Sequence, residues 1–413
     1  MSSSRTIKQN KNRVMNILVL NCGSSSIKYQ LREMSEGSNV LKAKGIVEKI
    51  GLPMGAIIYR PTGKEQSMIE QPIPDHTAGM DLILKALVNP ETGVISSLKE
   101  IDACGHRVAH GGEFFSESVL VDEDVKAKIQ ECCALAPLHN PANLNGIVTM
   151  EKLMPGVPQV AVFDTSFHQT IPEEAYTYAI PSKYYREDKM RRYGFHGTSH
   201  KFVAEKACKM LGWDITTKKI ITCHLGNGAS VTAIKYGKSV DTSMGFTPVS
   251  GVTMGTRTGD VDAGALLYIF EKEGYSYKEA NDFINKKCGL LGISEKTSDF
   301  RDLADAANRG DKLSKLALKV FFYTIKRYVG AYAAVMDGVD LIVVTGGIGE
   351  NNPSVREEIC GKLSYLGIKL DNKANLTRED RVITTSDSTA KVMVVATDEE
   401  LVIATDTARL CAK

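Results

Sequence analysis

Apolar runs that stop abruptly at glycine recur along this chain. Ile17, Leu18, Val19 and Leu20 end at Asn21-Cys22-Gly23-Ser24-Ser25-Ser26, after which a second alternating run begins. This pattern predicts a buried strand, a turn and a returning strand. Residues 220–231, IITCHLGNGASV, repeat it, and residues 341–351, LIVVTGGIGEN, give a third strand with a glycine-rich break. Gly23 and Gly226 lie 203 residues apart in a chain of 413, so the repeat points to two related halves. Backbone N–H groups, hydroxyls and an amide gathered in such a turn suit a phosphate or its metal, and Lys28 follows within reach. A plain hairpin would explain the first turn taken alone. None of the three reads GxxxxGK[ST] or GxGxxG, so neither a P-loop nor a dinucleotide fingerprint is expected.

Between these turns the pattern predicts further elements. Residues 40–60 alternate around Gly45, Gly51 and Gly55 and predict short antiparallel strands, and residues 77–87 have the spacing of an amphipathic helix. Residues 101–112 predict a strand entering a turn, with Arg107 between the apolar run and Gly111-Gly112, a place where backbone lets a small anion approach. After a helical stretch at 122–134, Pro137 and Pro141 bracket His139-Asn140 in a rigid turn. Asn140 as a cap explains the Asn and the prolines but not His139. Residues 159–164, QVAVFD, predict a strand ending in Asp164, either a catalytic or metal-binding carboxylate or a helix cap. RRYGFHGTSH leads into a helix over 201–211 with Ser199 as its expected N-cap, which leaves His196 without a structural reason. In MGTRTGDVD, Arg257 suits a phosphate, while Asp260 and Asp262 are expected to cap the helix that follows. Residues 312–336 predict a long amphipathic core helix, and residues 392–400 a strand breaking at Glu399-Glu400 before a closing helix.

Composition narrows the class. The chain is 43% hydrophobic and 24% charged, an ordinary globular balance, and long enough for two domains. Net charge is +2, from 51 basic and 49 acidic residues, which offers no bulk attraction to nucleic acid or membrane. Nine scattered cysteines without a CxxC argue against a disulfide framework or a zinc site and favour the cytoplasm. Residues 1–14 lack an apolar core and read as a disordered leader.

Ten motifs now stand in order: NCGSSSIK, GHRVAHGGE, APLHNP, FDTSFH, YGFHGTSH, HLGNGAS, MGTRTGDVD, SDFRD, TGGIGEN and TDEEL. Across residues 16–407 they closely resemble the acetate kinases, within the superfamily of acetate and sugar kinases, Hsp70 and actin. The resemblance implies an α/β fold of two duplicated actin-like, ribonuclease H-like domains with a nucleotide cleft between them. Residues 15–165 with 401–413 would form an N-terminal acyl and phosphate domain, and 166–400 a C-terminal nucleotide-binding domain. It also implies ATP and ADP as nucleotide substrates, Mg²⁺ with Mn²⁺ as an acceptable substitute, acetate and acetyl phosphate as partners, and a homodimer.

By the same resemblance, Asn21 and Glu399 serve the metal. Lys28, His224, Leu225, Gly226, Asn227, Gly228, Asp299, Phe300, Arg301, Gly347, Ile348, Gly349, Glu350 and Asn351 line the nucleotide. Arg107 holds the acyl substrate, with Ala109, Leu138, Phe195 and Pro248 around its methyl group. Asp164 matches the catalytic aspartate, His196 and Arg257 the transition-state stabilisers, and His139 lies near the acyl phosphate. Because acetate is already ionised at neutral pH, with a carboxyl pKa of roughly 4, no general base is needed. Asp164 is therefore expected to orient Arg257 or metal-bound water.

Four positions depart from the family's habit. Ala109 replaces Val, Cys22 replaces Ala, Ser250 an acid and Asp398 an Asn. The first implies an acyl pocket roomier by about two methyl groups, with propionate as a second substrate. The rival readings are a propionate kinase, a sugar kinase, whose hydroxyl acceptor would need a true base and a polar pocket, and an ATP-driven module of the Hsp70 or actin kind.

Overall fold

The computed structural model describes residues 13–412, so all but the last two residues of the expected leader lie outside the described residues. The chain forms two compact units, Met1–Ser166 with Glu399–Lys413, and Phe167–Asp398.

The first unit is a single sheet built from β1 (Met15–Cys22), β2 (Ser26–Ser35), β3 (Ser38–Glu48), β4 (Gly55–Pro61), β5 (Ser67–Gln71), β6 (Ile101–Val108), β7 (Val119–Leu120) and β8 (Gln159–Phe163). Its order is β5-β4-β3-β2-β1-β6-β8-β7. β1 runs antiparallel to β2 and parallel to β6, which in turn is parallel to β8. The parallel centre is covered on both faces, as its continuous apolar runs require. Period-two alternation in β1 divides its side chains: Leu18, Leu20 and Cys22 pack with Met80, Ile83 and Leu84 of the helix His76–Leu87. Ile17 and Val19 pack with Ile403 and Ala404 of the closing helix Glu399–Cys411. Asp75 caps the first of these helices through Ala78 N at 2.8 Å, and Ser118 Oγ donates to Asp406 at 2.6 Å on the other.

The second unit contains β9 (Lys219–Leu225), β10 (Ala229–Lys235), β11 (Lys238–Thr242), β12 (Leu341–Thr345), β13 (Arg381–Val382) and β14 (Lys391–Val394), in the order β11-β10-β9-β12-β14-β13. β9 is antiparallel to β10 and parallel to β12, and β12 is parallel to β14. The run β11-β10-β9-β12-β14 therefore repeats β3-β2-β1-β6-β8 strand for strand. The turns at Gly23 and Gly226 occupy equivalent places in the two sheets, and the third glycine break follows β12, the counterpart of β6. One face of this sheet packs on the helix Lys312–Val335 through Ile221, Cys223, Phe321 and Ile325. The other packs on the helix Gly197–Leu211 through Ile220, Val203 and Ala204.

Two local expectations are corrected. The helix expected to start beyond Ser199 begins at Gly197, with His196 in the capping position at φ 57°, ψ 20°. Ser199 is fully buried and spends its hydroxyl on His224 Nδ1 and Thr397 Oγ1, both at 2.8 Å. The apolar pattern begins late because the first turn of that helix is a polar seam. Of the two expected caps, Asp262 does accept from Ala265 N at 3.0 Å, but Asp260 accepts instead from Gly251 N at 2.7 Å, Ser250 Oγ at 3.0 Å and Tyr328 Oη at 2.5 Å. Asp260 thereby ties down the loop that carries Arg257.

Candidate active site

Within the first unit the candidates gather at the carboxyl ends of the parallel strands. Arg107, the penultimate residue of β6, pairs with Asp164 just past β8, Nε to Oδ1 at 3.0 Å and Nη2 to Oδ2 at 2.5 Å. Its Nη1 donates to Asn21 Oδ1 at 3.3 Å, at the end of β1. Adjacent parallel strands deliver the three groups side by side, and the two-point fork fixes the plane of the guanidinium. Asp164 is 1% exposed, so its charge is answered inside the protein by Arg107. Expected to orient Arg257 or bound water, the carboxylate in fact has both oxygens on Arg107. Glu399, at the start of the closing helix, completes the group. Burial and then the charge of Asp164 push its carboxyl up to about 7, against the pull of Arg107 and Lys28. Lys28 stands opposite Asn21 in the β1–β2 ladder, so it belongs with these candidates and to a different unit from the other expected nucleotide residues.

The helix Asn140–Leu153 locks these strand ends together. Asn143 accepts from Ala109 N at 3.0 Å and donates to Cys22 O at 2.7 Å, joining the ends of β6 and β1. Asn140 does the same for both backbone groups of His110, at 3.0 and 2.9 Å. His139 takes the N-cap position of this helix, so Asn140 is its first residue rather than its cap. Ala109 is buried, whereas Leu138 is half exposed.

In the second unit a cavity of about 700 Å³ is lined by Gly226, Asn227, Asp299, Phe300, Arg301, Gly347, Ile348 and Asn351, eight of the expected nucleotide residues. Thr297, Ser298, Asn352 and Arg378 line it too, and were not anticipated. Asp299 caps the helix Phe300–Asn308 through Arg301 N at 2.8 Å and pairs with the exposed Arg301 side chain. Arg301 holds the Asp299 carboxyl down at about 2, though a pair this exposed adds little stability. Gly346 opens the short helix Gly346–Asn351 at φ +78°, where a Cβ would lie 2.6 Å from Leu225 O. Glu350, expected at the nucleotide, instead accepts from Thr345 Oγ1, Gly346 N and Thr397 N, and Leu225 is fully buried in the core. His224, Gly228 and Gly349 likewise are not among the residues lining the cavity.

His196 and Arg257 meet beside the second glycine turn. A methyl built on Gly228 would lie 3.4 Å from Arg257 Nη1 and 3.6 Å from His196 Nε2, so both cation-capable edges face one spot. The His196 ring stacks on His224 with centroids 4.3 Å apart, and Gly255 N donates to Asn227 O at 2.9 Å to bind the Arg257 loop to the turn. Phe195 is buried in the core, and Pro248 lends its carbonyl to Arg257 Nη1 at 3.4 Å. Ala109 and Leu138 thus belong to the first unit, Phe195 and Pro248 to the second.

The Acetokinase family profile matches residues 16–405. The chain belongs to the acetokinase family. It is 56% identical over 403 residues to the acetate kinase of Thermotoga maritima, covering 97% of this chain and 99% of that protein. The crystal structure of the Porphyromonas gingivalis acetate kinase superposes with a TM-score of 0.92 at 49% identity, over 96% of this chain and 99% of the other. A propionate kinase from Francisella tularensis superposes with a TM-score of 0.89 at 40% identity, over 96% and 100%. Membership of the acetokinases carries a reaction class, phosphoryl transfer between a nucleotide and a carboxyl group.

The supporting roles of Asn143 and Arg356 escaped sequence reading, and Asn140 was expected only as a cap. Asn140 and Asn143 sit three apart on one helix face and are buried, a spacing that could have marked them. Arg356 had no such signal. It is fully buried, and its donors reach Asn375 Oδ1 and the carbonyls of Gly349, Glu350, Asn375 and Thr377. It fastens the Gly346–Asn351 helix to the segment that leads to Arg378.

Proposed function

We propose that this protein is an acetate kinase, transferring the γ-phosphoryl group of ATP to acetate, reversibly and by direct in-line displacement, to give acetyl phosphate and ADP. The observation that carries this reading is the fixed Arg107. A guanidinium held in plane by a buried carboxylate, two residues before the small, buried, apolar Ala109, suits a short carboxylate with a methyl tail. A carboxylate acceptor needs no base, so the protein's part is alignment and positive charge. Arg107 would orient the acceptor, Asp164 keeps Arg107 in place, and His196 with Arg257 would meet the charge on the equatorial phosphoryl oxygens. His139 would stand near the acyl phosphate, and the 700 Å³ cavity of the second unit would take the nucleoside. Hydroxamate trapping with Mg-ATP and acetate, propionate, butyrate or glucose tests the reading. Acyl phosphate from acetate is the expected product; ATP hydrolysis without acyl phosphate would refute it.

Asn21 and Glu399 offer an amide and a carboxylate oxygen, a hard donor set that fits Mg²⁺, with Mn²⁺ as a substitute. A metal held there would supply charge screening at the phosphates. The raised Glu399 carboxyl marks a place short of positive charge. Its folded value, about 7 against an ordinary 4.5, means the folded state holds this proton more tightly than the unfolded chain. The associated stability is therefore complete below pH 4.5 and lost as pH rises through about 7. Since a cation competes with that proton, Mg²⁺ affinity should rise up to about tenfold per pH unit below 7 and level off above it. Calorimetry in two buffers of different ionisation enthalpy should find about one proton released per metal well below pH 7 and almost none well above it. A pH-independent affinity would rule this out.

Propionate is the second reading, favoured by Ala109 and by the propionate kinase neighbour. Ala109→Val should lower the ratio of kcat/KM for propionate over acetate by about tenfold or more, the usual worth of a methylene in a pocket. An unchanged ratio would remove Ala109 from the acyl wall.

Self-association as a homodimer is supported by the helix Ala263–Glu273. It has no buried residue, and Leu267 and Tyr268 are about two-thirds exposed with Tyr277 nearby. A cytoplasmic site is supported by nine free cysteines, and among the described residues no helix is long and apolar enough to cross a membrane.

A further inference from the structure

Behind His196 lies a row of buried polar groups in an otherwise apolar layer. On β9, Ile220, Thr222 and His224 share one face. Ile220 packs among Val203, Ala204 and Ala207 of the helix Gly197–Leu211, while Thr222 and His224 meet His200 and Ser199 of the same helix. His200 is fully buried, with Nδ1 2.7 Å from Thr222 Oγ1 and Nε2 2.7 Å from Ser230 Oγ. Ser230 Oγ lies in turn 2.8 Å from His196 Nδ1. Thr222 and Ser230 are also fully buried.

The protons in this row have a preferred direction. Burial pushes the His200 pKa well below 6.5, so its ring is neutral, with one nitrogen donating and the other accepting. If His200 donated from Nδ1, the proton of the buried Thr222 hydroxyl would have no acceptor in the row, an arrangement buried groups avoid. With Thr222 donating to Nδ1, His200 Nε2–H donates to Ser230, and the Ser230 proton is left for His196 Nδ1. An imidazole that accepts at Nδ1 carries its own proton at Nε2, the edge that faces the spot beside Arg257 and Gly228.

We propose that Thr222, His200 and Ser230 are positioning residues, a hydroxyl–imidazole–hydroxyl relay that holds His196 in the Nε2–H tautomer. In that form the ring offers a phosphoryl oxygen a donor; in the other it would offer a lone pair, which repels. The proposal rests on the reading of His196 as a group at the transferring phosphoryl. The backbone is prepared in the same way. His168 donates from Nε2 to Phe195 O at 3.1 Å and takes Ser239 Oγ on Nδ1 at 2.8 Å, clamping the residue before His196, whose φ of 57° needs such support.

The test is nitrogen-15 NMR of the full-length, histidine-labelled protein without substrates, with His196 assigned by the signal lost in His196→Asn. Nδ1 unprotonated and Nε2 protonated is the expected pattern. A wild-type His196 protonated at Nδ1 overturns the proposal whatever the variants do. Ser230→Ala should give a mixture of tautomers and cut kcat about tenfold, the usual cost of removing an orienting partner, with KM for acetate and ATP nearly unchanged. Thr222→Val should act in the same sense, and Thr222→Ser should restore both tautomer and kcat. An unaltered tautomer in a folded Ser230→Ala protein also overturns the relay. Full turnover in His196→Asn would instead overturn the role of His196, while the tautomer pattern in the wild type would stand.

Discussion

Asp164→Asn is expected to lower kcat by about 100-fold or more and to destabilise the first unit by about 3–5 kcal/mol. The carboxylate accepts from both Nε and Nη2 of Arg107, while an amide in its place turns an NH₂ group toward the guanidinium. Arg107 would then be a cation without its fixed partner, and the acceptor it is proposed to orient would lose its alignment. Arg107→Met should also destabilise, because it strands a carboxylate that is 1% exposed, and should lower kcat at least as much while also raising KM for the acyl substrate. The informative variant is Arg107→Met combined with Asp164→Leu. Apolar replacement of both partners of a buried pair often restores stability, so this protein should unfold near the wild-type denaturant midpoint and yet lack activity. Urea unfolding beside steady-state kinetics on all three decides the matter. A double variant as unstable as either single one would show that the pair holds the fold and not merely the site.

The second large effect belongs to Arg356. Methionine matches its stem but strands Asn375 Oδ1 and the carbonyls of Gly349, Glu350, Asn375 and Thr377 in a region closed to water. A loss on the order of 4 kcal/mol is expected, a large share of the 5–15 kcal/mol that ordinarily holds a protein folded. Arg356→Lys should recover only part of it, because three donors on a point charge cannot reproduce a planar fork. Both helix and loop that Arg356 joins border the cavity proposed for the nucleotide, so KM for ATP should rise several-fold in whatever fraction remains folded, with KM for acetate little moved. A midpoint within experimental error of wild type would refute the structural role. An unchanged KM for ATP in a folded variant would separate Arg356 from the cavity.

Much of this protein was legible from its residues in order. Strand-to-glycine breaks depend on local backbone sterics, since glycine readily adopts the positive φ of Gly346, and such breaks can be read from a few neighbouring letters. A continuous apolar run announced β1, because both of its faces meet apolar layers. The repeat of glycine turns at half the chain length pointed to two related halves, and the two sheets do share a common strand order. Arg107 stood out because an arginine between a strand and a glycine pair lacks an ordinary surface role.

What sequence order could not decide was which polar groups face each other. Asp164 reads equally well as a cap, a ligand or a catalytic acid, and only the parallel pairing of β6 with β8 sets it against Arg107, 57 residues away. Ser199 has the letter and place of an N-cap, yet the true start at Gly197 buries it against His224 and Thr397. The Thr222–His200–Ser230 row and the five bonds of Arg356 join segments remote in the chain, and each is specified by distances of about 3 Å rather than by any spacing in sequence. Local backbone preference and hydrophobic period act over a few residues, so the chain by itself determines where strands, turns and helices fall and that it belongs among the acetokinases. Hydrogen bonds between buried groups act over ångströms, so the tautomer of a histidine or the partner of a carboxylate is decided only once the sheets have brought those groups together.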